Sequence, residues 1–208
     1  EFIHERSLYP VAEYSFKHPL TQAVAQDSLL GERRRALHAA VAGAIEAAGG
    51  DLDEKAALLA HHWDAAGEAQ PAAQWHRRAA EWIAGSNSAE ATRHWQRVRA
   101  LADGIADPAL AIELGDRSCQ MLIEHAWRLG LSEEAAEDLL REGEAWARRR
   151  NDPGSLASLY SGASMLVSIG LGQAKRGQAF AQDALRLARI AGDEPLISFC
   201  VYPGDAGH

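Results

Sequence analysis

The feature that most constrains this chain is its punctuation. Gly49-Gly50, Gly67, Gly85, Gly104 with Pro108, Gly130, Asn151 with Pro153, Gly170 with Gly172, and Gly192 with Pro195 divide it into segments of about 15–22 residues. Gly just past a helix end, with Pro soon after, is how helices stop. Between the breaks apolar residues return every three or four positions. Leu37, Val41 and Ile45 form one stripe, and Leu59, Trp63 and Ala66 the next. Trp75, Ala79 and Trp82–Ile83 follow, then Ala91, Trp95 and Val98, then Leu139, Gly143 and Trp146, then Phe180, Ala184, Leu187 and Ala191. That period is one face of an α-helix. Period-two alternation is almost absent beyond residue 19. Helical hairpins with short loops are predicted.

The hairpins repeat. Arg128-Leu-Gly-Leu through Ala147-Arg148-Arg149 and Asn151-Asp152 returns as Ser168-Ile-Gly-Leu through Ala188-Arg189 and Gly192-Asp193, at an offset of about 40 residues. Two helices per unit at that period mark an α-solenoid, in which each pair covers the apolar face its neighbour cannot bury alone. Residues 1–30 differ. Residues 11–18 alternate, with Tyr14 and Phe16 on one strand face and Ser15 and Lys17 on the other. Pro19 ends that strand and opens a helix carrying Leu20, Val24 and Leu29–Leu30.

Composition narrows the function classes. Of 208 residues, 47% are hydrophobic and 24% charged, too apolar for disorder. Net charge is −8. No stretch is strongly basic, and nucleic acid is not an expected partner. No apolar run is long enough for a membrane span. Two isolated cysteines, Cys119 and Cys200, exclude a disulfide framework and point to a reducing, cytoplasmic compartment. The chain starts at Glu1 without a signal-peptide pattern and reads as a segment of a longer protein.

Several kinds of chemistry lack their residues. The phosphate-cradling G-x-x-x-x-G-K-[S/T] pattern is absent, and the Gly170–Gly177 run fits neither it nor a dinucleotide fingerprint. No H-E-x-x-H, C-x-x-C, G-x-S-x-G or S-x-x-K occurs. His61 and His62 are adjacent among nine histidines, but consecutive helix residues point about 100° apart. No catalytic residue, metal ligand or cofactor is assigned to the segment. Arg33–Arg35 and Arg148–Arg150 are the basic runs, the second at a helix C-terminus where cations offset the macrodipole. Trp63, Trp75, Trp82 and Trp95 lie on apolar stripes. They either pack in the core or line a groove that receives a partner.

One unit resembles a tetratricopeptide repeat: Ala60 and Trp63 on a first helix, Gly67 at the turn, Ala72, His76 and Ala79 on a second. The usual Leu-Gly pair is lacking, and His76 stands where that family has an aromatic. Further upstream, FIHERSLYP (2–10), EYSFKHPLTQAVA (13–25) and SLLGERRRALH (28–38) resemble the end of the winged-helix region of a STAND-class signal-transduction ATPase. The closest flavour is the bacterial proteins with a class III adenylate/guanylate cyclase domain before the ATPase and a tetratricopeptide tail after it. LLAHHWDAAGE (58–68) and AAQWHRRAA (72–80) resemble the first repeats after that junction. The similarity covers about residues 2–102. It implies that ATP or ADP binds elsewhere in the parent protein. It also places His18 at the nucleotide's phosphates, where an imidazole N–H is a suitable donor; the alternative is that His18 caps or packs on the next helix.

The expected fold is all-α: a right-handed α-α superhelix of tetratricopeptide-like hairpins over residues 49–208, after a strand and winged-helix remnant with connecting helices over 1–48. The expected function is non-catalytic. The segment binds a protein or small effector on its repeat surface and regulates the linked ATPase and cyclase. The alternatives are the same region of a STAND-type transcription activator, or a free-standing helical scaffold. The unpaired apolar stretch Leu196–Tyr202 suggests either truncation or self-association.

Overall fold

The computed structural model describes residues 3–7, 13–17, 19–20, 31–128 and 130–201. Strand β1 (Ile3–Ser7) pairs antiparallel with β2 (Glu13–Phe16), Ile3 opposite Phe16 and His4 opposite Ser15, with a register shift between Glu5 and Ser7. The strand expected over 11–18 is thus described over 13–16, and its partner falls in a stretch to which no strand was assigned. Pro19 and Leu20 have helical backbone. The rest of the helix expected after Pro19, and His18 with it, lies outside the described residues.

Nine α-helices follow among the described residues from 31 onward: α1 (Gly31–Ala48), α2 (Ala56–Ala66), α3 (Ala69–Ile83), α4 (Ser88–Ala102), α5 (Pro108–Ala126), α6 (Glu133–Arg150), α7 (Pro153–Met165), α8 (Ala174–Ala191) and α9 (Glu194–Val201). A π-helical turn, Leu166–Gly170, extends α7. The breaks fall where the punctuation put them. Asn87, Asp107, Ser132 and Asp152 each accept a backbone N–H at the start of α4, α5, α6 and α7. Gly67, Asn151 and Gly192 close α2, α6 and α8 in the left-handed conformation. Asn151 is the only non-glycine residue with positive φ among the described residues.

Each helix packs on the next along the chain, and second-neighbour contacts join α3, α5, α7 and α9. The odd-numbered helices therefore form one row and the even-numbered helices another. Polar pairs tie each row across its gaps. In the even row Arg97 bonds Asp64 (both N–O distances 2.6 Å), Arg99 bonds Glu142, and Arg176 bonds Glu137. In the odd row Arg77 bonds Glu113 (2.9 Å) and Ser155 Oγ donates to the fully buried Asp116 (2.6 Å), which also meets Arg150 at 3.1 Å. Small residues let the rows meet. A Cβ on Gly115 would lie 2.5 Å from the Trp146 ring, and one on Gly177 would lie 2.7 Å from the Ser164 carbonyl oxygen.

The core is continuous from Ala73 through Trp95, Val98, Leu114, Ile123 and Trp146 to Leu159 and Leu166. Two stripes differ from expectation. On α1, Leu37 and Val41 stay 48% and 41% exposed, because Ala42 is the residue that α1 buries. On α3 the buried face is Ala72, Ala73, His76, Ala79 and Ala80, which leaves Trp82 55% exposed at its flank. Among the described residues no helix is long and apolar enough to cross a membrane.

Candidate partner-binding groove

The concave features of the molecule share residues. An open groove of about 670 Å³ lies between α1, α2 and α3, lined by Glu46, Trp63, Trp75, Arg78 and Glu81 among others. Glu81 also lines a second hollow, of about 230 Å³, with Trp95, Arg117, Met121 and His125. Arg117 in turn lines a third, of about 160 Å³, with Glu124, Ser161, Met165, Leu196 and Phe199. The three are therefore neighbours, each sharing a lining residue with the next, in a line from α1 to α9. Each odd helix contributes one stripe at helical spacing: Gln74, Arg78 and Glu81 from α3, Arg117, Met121 and Glu124 from α5, Ser158, Ser161 and Met165 from α7. Both methionines of the chain lie along this line. Methionine is a flexible, polarizable side chain suited to surfaces that adapt to a partner.

The α1–α3 end has the most defined geometry. Glu46 Oε1 accepts the indole N–H of Trp63 (3.0 Å) and that of Trp75 (2.7 Å). Three helices thereby converge on one carboxylate oxygen. The Arg78 guanidinium lies 5.0 Å from the Trp75 ring centroid, and Arg78 Nε donates to Asp53. That bond holds the Asp53 carboxyl below its ordinary range and the Arg78 guanidinium above its own. Arg77 Nε is buried without a hydrogen-bond partner.

Of the four tryptophans proposed for a groove, Trp63 and Trp75 come together there. Trp95 belongs to the core at 4% exposure, its edge forming the floor of the second hollow. Trp82 is exposed and lines none of the three. Glu46, Met121, Arg117 and Met165 were missed. Glu46 and Met121 carry no motif, and only the stacking of helices separated by 17 to 36 residues or more assembles them. A usable signal existed for the methionines: the whole chain has two, Met121 on α5 and Met165 on α7.

Five of the histidines cluster, in a group of three and a pair. His38 and His62 approach Nδ1 to Nδ1 at 2.9 Å, with His61 ringed against both. His76 and His94 approach at 2.8 Å, and His76 Nε2 lies 3.4 Å from Asp64. Each close pair needs one ring nitrogen to carry a proton and the other to accept it. Burial, then the charge of His94, pushes His76 down to about 4, against the opposing pull of Asp64. Among the described residues no group of three or more His, Cys, Asp or Glu side chains is placed to hold a metal ion. Cys119 is buried and its thiol is pushed up to about 12, mainly by desolvation, far from a reactive thiolate.

Comparison with family models, with curated proteins and with solved structures gives no significant match.

Proposed function

We propose that this chain is a non-catalytic helical-repeat module that binds an extended segment of a partner protein along its odd-helix face. The observation that carries this reading is the row of three neighbouring hollows that share Glu81 and Arg117, with Trp63, Trp75, Met121 and Met165 among their lining. Stacked helix pairs expose such a surface because each pair buries only its neighbours' faces. The repeats are taken to be tetratricopeptide-like, in a right-handed superhelix. The resemblance of residues 2–102 supplies the setting: a cytoplasmic STAND-type ATPase linked to a cyclase, with nucleotide bound outside this segment. Partner docking would bias that ATPase between its closed and open states, which requires different affinity for the two.

The test is selection of displayed 12–16-residue peptides on the purified chain. Enriched peptides should lose at least tenfold in affinity to Met121→Glu and to Met165→Glu, each placing a charge on the floor, with unchanged helical circular dichroism. Peptides that bind both variants as they bind the natural chain would contradict the reading, as would failure to enrich any.

A further inference from the structure

We infer that the Trp63–Trp75–Glu46 end of the groove receives a positively charged side chain, Lys or Arg, of the bound segment. The inference deepens the groove reading and rests on it. Glu46 is held by two neutral donors, which fix its position without pairing it with a cation. A carboxylate held by Arg or Lys would be spent; one held by two indoles is not. The groove's own cations are paired with other carboxylates: Arg77 with Glu113 on α5, and Arg78 with Asp53. Those ion pairs use neither Glu46 nor Glu81, which leaves two carboxylates on the lining of an open groove of about 670 Å³.

The aromatic part is matched to the same charge. An indole face attracts a cation within about 6 Å of its centroid, and the chain already places one there. The Arg78 guanidinium lies 5.0 Å from the Trp75 centroid. Arg78 thus fills the cation position over Trp75 in the free protein, and among the described residues no cation lies over the Trp63 ring, which shares the Glu46 acceptor. A partner carboxylate would instead meet Glu46 and Glu81 with like charge. A purely apolar residue would leave Glu46 desolvated beside it. The net charge of −8 favours a basic approach at long range as well.

The test uses the whole chain labelled with nitrogen-15. Its indole N–H signals are followed during titration with butylammonium and butylguanidinium, with butanol as the neutral control of the same length. Trp63→Phe and Trp75→Phe assign the two signals. Expected is saturable movement of both signals with either cation, at least fivefold weaker with butanol, and weakening by 0.5 M salt. Glu46→Gln keeps an oxygen acceptor for the indoles and removes the charge; it should weaken both cations at least fivefold. If Glu46→Gln does not fold by circular dichroism, Glu81→Gln takes its place, with at least a twofold loss expected.

Equal response to butanol, no response to the cations, or indifference to both variants would overturn the inference. The two readings fail separately. Enriched peptides without a basic residue, together with silent cation titrations, would sink this one and leave the groove. Cation binding by a chain that enriches no peptide would sink the groove reading instead.

Discussion

At the scale of single residues, burial decides most of the chemistry. His76 replaces the aromatic of the resembled repeat and is 9% exposed between α2, α3 and α4. Its folded value near 4 lies below the ordinary 6.5. The unfolded chain therefore binds its proton first, and stability is fully present above about 6.5 and falls as pH drops from there towards 4. The loss should be on the order of 2 kcal/mol. Urea midpoints at pH 7.5 and 5.0 should show it, and His76→Phe should shrink the difference; an equal difference in both proteins would contradict the assignment. Gly115 offers a second measurement. Gly115→Ala gains helix propensity but drives a methyl into Trp146. A net loss of about 1–3 kcal/mol is expected from overpacking, and an unchanged or raised midpoint would count against the close crossing of α5 and α6.

At the scale of elements, the repeat is visible in both sequence and packing. Helices α6 and α8 are each 18 residues long and close in left-handed caps at Asn151 and Gly192. The buried Ala136, Gly143 and Ala147 of α6 recur as the buried Gly177, Ala184 and Ala188 of α8. Boundaries were legible because Gly, Asn and Pro act locally, within a turn of where they stand. The exposure of Leu37, Val41 and Trp82 was not. Periodicity finds a face, but which of two adjacent stripes is buried depends on the partner helix, and close approach favours alanine over tryptophan. The ties between helices were also invisible, because Arg99 and Glu142 meet only after α4 and α6 stack. A double-mutant cycle on Arg99→Ala and Glu142→Ala should return a coupling of about 0.5–1 kcal/mol, since both side chains are about one-third exposed. A coupling of zero would mean the bridge does not hold the even row.

At the scale of the whole molecule, the proposed groove depends on a stacking of helices that no local pattern encodes. Trp63 and Trp75 were legible as candidates because large aromatics are few and lie at helical spacing. Their shared acceptor Glu46, from α1, and the joining residues Glu81 and Arg117 were not, because each is an ordinary charged residue on an ordinary helix. The same applies to the α9 end, where Leu196 and Phe199 line the third hollow. The described part of the apolar stretch, residues 196–201, packs on α7 and α8, and Tyr202 lies outside the described residues.

The measurement that tests the central claim most directly is a backbone amide shift map of the labelled chain with its tightest selected peptide. The groove account predicts shifts in one connected path through residues 74–81 of α3, 117–125 of α5 and 158–165 of α7, with the outer surface of α6 and α8 silent. Shifts confined to the even helices, or scattered without a path, would contradict it.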